Sequence, residues 1–306
     1  MKKKKLLPLL AITLTAVIWG LSFLSIKVAV AVIPPMTLAL LRFVMASVIL
    51  LAMLKILEPG TRINKKDLPA LAVAGFIGIT VYFFFENNGV RLTTASVASI
   101  IIATIPIMSL LADFIFFRSP LTRFRIGCVL VSVLGIYLVV GANIAGPAGR
   151  GNLAGNLLMI GAAVCWVTYS IVTRPLGKKY SQLAIVTYQT LFGTLSLIPL
   201  SLLERGGWQA VSGTVLLNVA YLGLFCSALG YYLYVYSLEK LGIGTVSLFI
   251  NLIPVVTVIS SYFILSETIS PSQLAGGGLI VASVYLASWR QFSPGGKTPA
   301  KSAAGC

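Results

Sequence analysis

Two membrane-length apolar stretches, each with a proline near its middle, constrain this chain more than any other feature. The first runs from Thr94 to Phe117 around Pro106 and the second from Gly242 to Leu265 around Pro254, the prolines standing 148 residues apart. Ser99 and Ser247 keep the same spacing. A proline inside a helix removes a backbone donor and crowds the carbonyl four residues earlier, here Ile102 and Ile250. Hydrocarbon offers that carbonyl no partner, so such breaks are tolerated where the helix faces protein or a water-filled cavity. Matching breaks in two halves of a chain point to a solute site near the bilayer midplane. The plainer reading is a pair of packing kinks, since proline is frequent in membrane helices.

The remaining sequence has the composition of a polytopic membrane protein: 58% hydrophobic and 10% charged, against roughly 25% charged in a soluble domain. A formal charge of +16 would suggest nucleic acid in a soluble protein. Here it reads as topology, and the partners expected are the lipid bilayer and a small-molecule solute, with no nucleic acid. The chain has no histidine, which removes histidine bases and histidine metal sites. Cys128, Cys165, Cys226 and Cys306 show no CxxC spacing, so neither a metal site nor a disulfide framework is indicated, and no cofactor is expected.

Lys2 to Lys5 precede the apolar run Leu6 to Val30, which is too long for a cleaved signal and is read as a retained span. Nine more spans follow: Met36–Leu57, Leu68–Asn88, the Pro106 run, Leu121–Gly141, Leu153–Thr173, Leu183–Leu203, Val211–Ser237, Ile243–Leu265 and Gln273–Trp289. The expected fold is all-α, with ten transmembrane helices as two inverted five-helix repeats: residues 1–141 and 153–291, a connection at 142–152 and a disordered tail at 292–306. Lys and Arg on alternate sides divide eighteen to four if the N-terminus is cytoplasmic, with Arg42 inside a span. Both termini are therefore expected in the cytoplasm.

Trp19 and Trp166, Lys27 and Arg174, and Arg42 and Gln189 all differ by 147 residues, while Tyr137 and Tyr285 differ by 148. Each unit holds an odd number of spans, so the second is expected upside down relative to the first. Trp19-Gly20 followed by Lys27, the Thr-Ala-Ser-Val entry to the Pro106 helix, and Leu265-Ser266-Glu267 before a Gly-rich last span resemble the EamA-like branch of the drug/metabolite transporter superfamily. The resemblance covers about Leu6 to Trp289. It implies ten helices, a central cavity built from both repeats, and export of small metabolites such as amino acids by alternating access. One departure is Ser119, where the family often has an acidic residue and where the second copy has Glu267.

Trp19, Tyr82, Trp166 and Tyr231 are candidates to line the cavity, where aromatic faces stack on rings or cover cations. Helix packing would use such side chains too. Arg42 lies about 10 Å inside its span at 1.5 Å per residue, and a charge at that depth is a functional suspect. Glu86 is its expected partner in a structural or gating ion pair, with a clamp on a substrate carboxylate as the alternative role for Arg42; Gln189, Pro106 and Pro254 join the gating or structural set. Lys27, Arg174 and Asp113 are expected to snorkel at span ends. Gly127, Gly135 and Gly276 to Gly278 are expected helix-packing sites. Glu86 and Asp113, roughly 27 and 28 Å along their helices, are expected near the boundary of a core about 30 Å thick, which implies weak or absent ion coupling and neutral or zwitterionic solutes. Efflux of cationic drugs is the alternative within transport. A lipid-modifying enzyme is the alternative of another class, but no histidine, carboxylate pair or nucleophile-and-base constellation supports it, and no catalytic residue is assigned. A receptor or scaffold would ordinarily need an extramembrane domain, which this chain lacks.

Overall fold

A computed structural model describes residues 3–118, 122–144, 149–204, 210–241 and 243–292. Their regular structure is helical: α1 (Lys3–Val30), α2 (Pro35–Leu57), α3 (Leu68–Gly75), α4 (Tyr82–Leu92), α5 (Ala95–Ile102), α6 (Ile105–Phe117), α7 (Arg123–Ile144), α8 (Gly149–Thr173), α9 (Gln182–Leu203), α10 (Gly213–Ala220), α11 (Gly230–Leu241), α12 (Ile243–Ile250), α13 (Leu252–Ile264) and α14 (Pro271–Phe292). Among the described residues, eight helical stretches are long and apolar enough to cross a membrane, and Leu252–Ile264 and Pro271–Ala287 are shorter apolar helices. The outer faces carry Leu14, Val48, Phe114, Ile115, Leu130, Leu203, Leu217 and Phe263 exposed, which is the surface a bilayer covers. This is a multi-pass membrane protein.

Several expected boundaries move. The third helical stretch continues to Leu92 rather than ending at Asn88, and α7 and α8 take up most of the expected 142–152 connection. Ser119, residues 145–148 and the tail from 293, with Cys306, lie outside the described residues.

Local features recur at the repeat spacing. The Pro106 run divides into α5 and α6 at Ala103-Thr104, and the Pro254 run into α12 and α13 at Asn251. Each proline then sits in the first turn of the resumed helix, where the missing N–H has no intrahelical acceptor to lose. A π-helical segment, Phe76–Val81, joins α3 to α4, and a second, Tyr221–Leu229, joins α10 to α11. Among the described residues, the two non-glycine residues with left-handed backbone, Arg118 (φ 51°) and Ser266 (φ 54°), stand 148 apart, each just after a broken span. The turn at Ser266 brings the Glu267 N–H to the Ser261 carbonyl (3.2 Å). Its side chain then accepts from the Ala95 N–H (2.8 Å), the Ser96 N–H (3.0 Å) and the Ser96 hydroxyl (2.7 Å), at the start of α5. Those N–H groups have no partner within their helix, and the helix dipole favours the carboxylate there.

α2 and α9 lie side by side and antiparallel. Glu204, just past α9, accepts from the Met36 and Thr37 N–H groups (2.9–3.1 Å) at the start of α2. Glu58, just past α2, accepts from the hydroxyl of Ser181, which caps the start of α9. Between these ends the hydroxyls of Ser47 and Thr194, 147 residues apart, meet at 2.9 Å. On α9, close approach of α3 requires glycine: a Cβ on Gly75, the last residue of α3, would stand 2.3 Å from the Gln189 carbonyl oxygen. Gly135 and Gly276 face one another across α7 and α14 as expected, and Gly277 meets Ile100, but Gly127 and Gly278 face open space and are not packing sites.

Candidate solute-binding site

Where the two halves meet, α1, α2, α4, α8, α9 and α11 bring together the aromatic and charged residues singled out from the sequence. Trp19 is half-buried; its ring lies 5.4 Å from those of Tyr231 and Tyr234, and its indole N–H donates to the Cys226 carbonyl (3.1 Å) within the second π segment. Trp166 lies 5.3 Å from Tyr82 and 5.4 Å from Tyr169. Tyr82, Trp166, Tyr231 and Tyr234 belong to one packed apolar cluster, with Phe43 and Phe83 at its heart. The four expected aromatic candidates are therefore neighbours in one region.

Arg42 is 4% exposed. Its Nε donates to the Ser227 hydroxyl (3.0 Å), and its guanidinium lies over the Phe83 ring (4.6 Å to the centroid) and near that of Phe43 (5.3 Å). Its Nη1 is buried with no hydrogen-bond partner. Glu86 is 5% exposed and accepts a hydrogen bond from the Tyr82 hydroxyl (2.8 Å). The expected Arg42–Glu86 ion pair is not formed: no contact within 4.0 Å joins them, and the ion pairs among the described residues are Arg174–Asp113 and Lys179–Asp67. Each charge has found a neutral hydroxyl one helical turn away or on a neighbouring helix instead. α4 runs six residues beyond Glu86, which is the only buried carboxylate among the described residues.

Gln189, the residue matching Arg42, is buried; it accepts from the Tyr169 hydroxyl (2.9 Å) and donates to Thr173 (3.0 Å). It thus ties α9 to α8. Pro106 and Pro254 stand at the helix breaks, where the Thr104 hydroxyl donates to the Ile101 carbonyl (2.6 Å) and Asn251 is buried with its Nδ2 unpartnered. Lys27 does not snorkel. Its ammonium donates to the carbonyls of Val90 (2.9 Å), Arg91 (3.2 Å) and Thr93, at the end of α4, where carbonyls lack intrahelical donors. Arg174 and Asp113 pair with each other at 2.8 Å on an exposed edge. No group of three His, Cys, Asp or Glu side chains able to hold a metal occurs among the described residues.

Compared with known proteins, the chain matches the sequence model of the EamA-like transporter family twice, over residues 6–141 and 153–289. It belongs to that family. The EamA-like family is one of transporters rather than enzymes. An uncharacterized transporter of Archaeoglobus fulgidus is 30% identical over 280 residues, 90% of this chain and 97% of the relative. A "probable terminal-alkyne amino-acid exporter" of Streptantibioticus cattleyicolor is 29% identical, covering 92% of this chain and 93% of its own. A "probable amino-acid metabolite efflux pump" of Salmonella typhimurium is 25% identical, covering 89% and 92%. A solved crystal structure shares the fold with a TM-score of 0.64 at 20% identity, over 94% of this chain and 98% of that one.

Within this EamA-like chain, Ser227 is the site residue that sequence reasoning missed. It lies 185 residues from Arg42, and a serine in a membrane span carries no signal of its partner. Tyr169 and Tyr234, each three residues beyond Trp166 and Tyr231, are two further aromatic members of the site.

Proposed function

We propose that this EamA-like transporter exports small metabolites, amino acids and related neutral or zwitterionic solutes, across a bacterial inner membrane by alternating access. The observation that carries the reading is the buried centre itself, where Arg42, Glu86, Trp19, Tyr82, Trp166 and Tyr231 meet between the two family repeats. The names of two relatives that cover nearly the whole chain point to amino acids as the solute class. In this reading the repeats are inverted, each a five-helix unit, and both termini are cytoplasmic, in keeping with the Lys and Arg distribution. The repeated helix breaks, π segments and left-handed turns support the same pairing of elements.

Alternating access needs ends that are held in one state and released in another. Glu204, Glu267 and Lys27 tie helices at the end carrying Pro34, while Glu58–Ser181, Asp67–Lys179 and Asp113–Arg174 tie them at the other. Efflux of cations has support in the rings around Trp19, but the buried Arg42 charge opposes it. Proteoliposomes loaded with an equimolar mixture of the twenty standard amino acids test the function. Protein-dependent loss of a subset without chemical change is expected, and no loss beyond protein-free vesicles would refute it.

A further inference from the structure

Arg42 and Glu86 are the two buried charged side chains among the described residues, and neither forms an ion pair within 4.0 Å. Each is held by one hydroxyl, Ser227 for Arg42 and Tyr82 for Glu86. A guanidinium has five N–H donors in a planar fork, and its rigid edge matches the two oxygens of a carboxylate. Here the Phe83 and Phe43 rings lie against the group, Ser227 takes Nε, and Nη1 is buried without an acceptor. A buried donor left unpaired, on a buried charge with no direct ion-pair partner, is a standing cost that an anionic ligand group would remove. Phe83 lies against both the Arg42 guanidinium and the ring of Tyr82 (4.9 Å between centroids), whose hydroxyl holds Glu86, so the two opposite charges and the aromatic side chains border one region.

Resting on the reading of the protein as an amino-acid carrier, we propose that Arg42 takes the solute's α-carboxylate through Nη1 and that Glu86, positioned by Tyr82, takes its α-ammonium. The pairing follows from charge. A zwitterion satisfies both poles at once and brings no net charge into the membrane interior. A simple amine leaves Arg42 uncompensated, and a simple carboxylate leaves Glu86 so. The site therefore discriminates by what each wrong ligand leaves unpaired as well as by what the right one binds.

The test uses the full chain in proteoliposomes loaded in separate batches with the twenty standard amino acids, their twenty carboxamides, and 4-methylpentanoate, which is leucine without its ammonium group. For the amino acids that leave wild-type vesicles, the carboxamides are expected to leave at least about tenfold more slowly, since a site built to pair a polar group rejects analogues lacking it. 4-Methylpentanoate is expected to be similarly slow relative to leucine. In Arg42→Gln the acids should fall to the rate of their carboxamides, and Glu86→Gln should slow the amino acids while speeding 4-methylpentanoate, which then leaves no buried carboxylate unpaired. Carboxamides leaving as fast as acids from wild-type vesicles, or an undiminished acid preference in Arg42→Gln, would overturn the assignment while the transport reading stands. Loss of no amino acid at all would sink both. Should Arg42→Gln fail to fold, the wild-type ratio of acid to carboxamide decides alone.

Discussion

Lys27 shows how a side chain's role is set by what its neighbours leave undone. From the sequence it is a lysine near a span end, for which snorkelling to the interface is the ordinary outcome. In the structure three carbonyls converge on its ammonium, because α4 ends beside it and the chain turns at Thr93 before α5 begins. Hydrogen bonds to a charged group contribute about 1.5–3 kcal/mol, so Lys27→Met should lower the melting temperature in detergent clearly, while Lys27→Arg should restore most of the loss. A melting curve for Lys27→Met that overlays the wild type would return Lys27 to the snorkelling role. The same limit hid the partners of Arg42 and Glu86: depth and charge were legible, but a hydroxyl on another helix was not.

Among the elements, the glycines separate two uses that look alike in sequence. Gly75 stands where a Cβ would run into the Gln189 carbonyl of α9, whereas a Cβ on Gly127 would meet nothing within 4 Å. Gly75→Ala should therefore destabilise the fold by about 1–3 kcal/mol, the usual cost of overpacking. Gly127→Ala should be neutral or stabilising by up to about 1 kcal/mol through its helix preference. Thermal unfolding of the two variants in one detergent checks the contrast, and equal stability would mean that α3 yields to the added methyl. The broken helices make a second prediction. Because the breaks lie at Ala103-Thr104 and Asn251, just before each proline, Pro106→Ala and Pro254→Ala permit α5 to join α6 and α12 to join α13. Both variants should remain monodisperse on size exclusion yet export more slowly, and unchanged flux in both would make the breaks packing kinks.

For the whole molecule, the seam between α2 and α9 joins the two family repeats through Ser47 and Thr194 and is closed at each end by a carboxylate. A double-mutant cycle with Ser47→Ala and Thr194→Ala should give a coupling of about 0.5–1.5 kcal/mol, the net contribution of one hydrogen bond. Additive effects would mean that the two hydroxyls are satisfied independently. The inverted arrangement predicts sidedness as well. A cysteine introduced beside Pro34 should react with an impermeant thiol reagent in intact spheroplasts of a cysteine-free background, and one beside Lys65 should react only after lysis. The opposite pattern would reverse the assigned orientation.

The sequence by itself determined the membrane class, the course of the apolar helical stretches, the position of both helix breaks and the family. These depend on hydropathy, on proline chemistry and on spacing along one chain, all of which are local or periodic properties. It also marked the region of the candidate site, since Trp19, Arg42, Tyr82, Glu86, Trp166 and Tyr231 were all named from it and prove to be neighbours. The tertiary structure alone decided who partners whom. Arg42 turns to Ser227 and Glu86 to Tyr82 rather than to each other, Lys27 caps α4, and Glu204 and Glu267 cap helices more than 160 residues away in the chain. The physical reason is that a hydrogen bond depends on positions to within tenths of an ångström. Such positions are fixed by helix packing and by which backbone groups each helix end leaves unpaired, and neither is written in the periodicity of a single span.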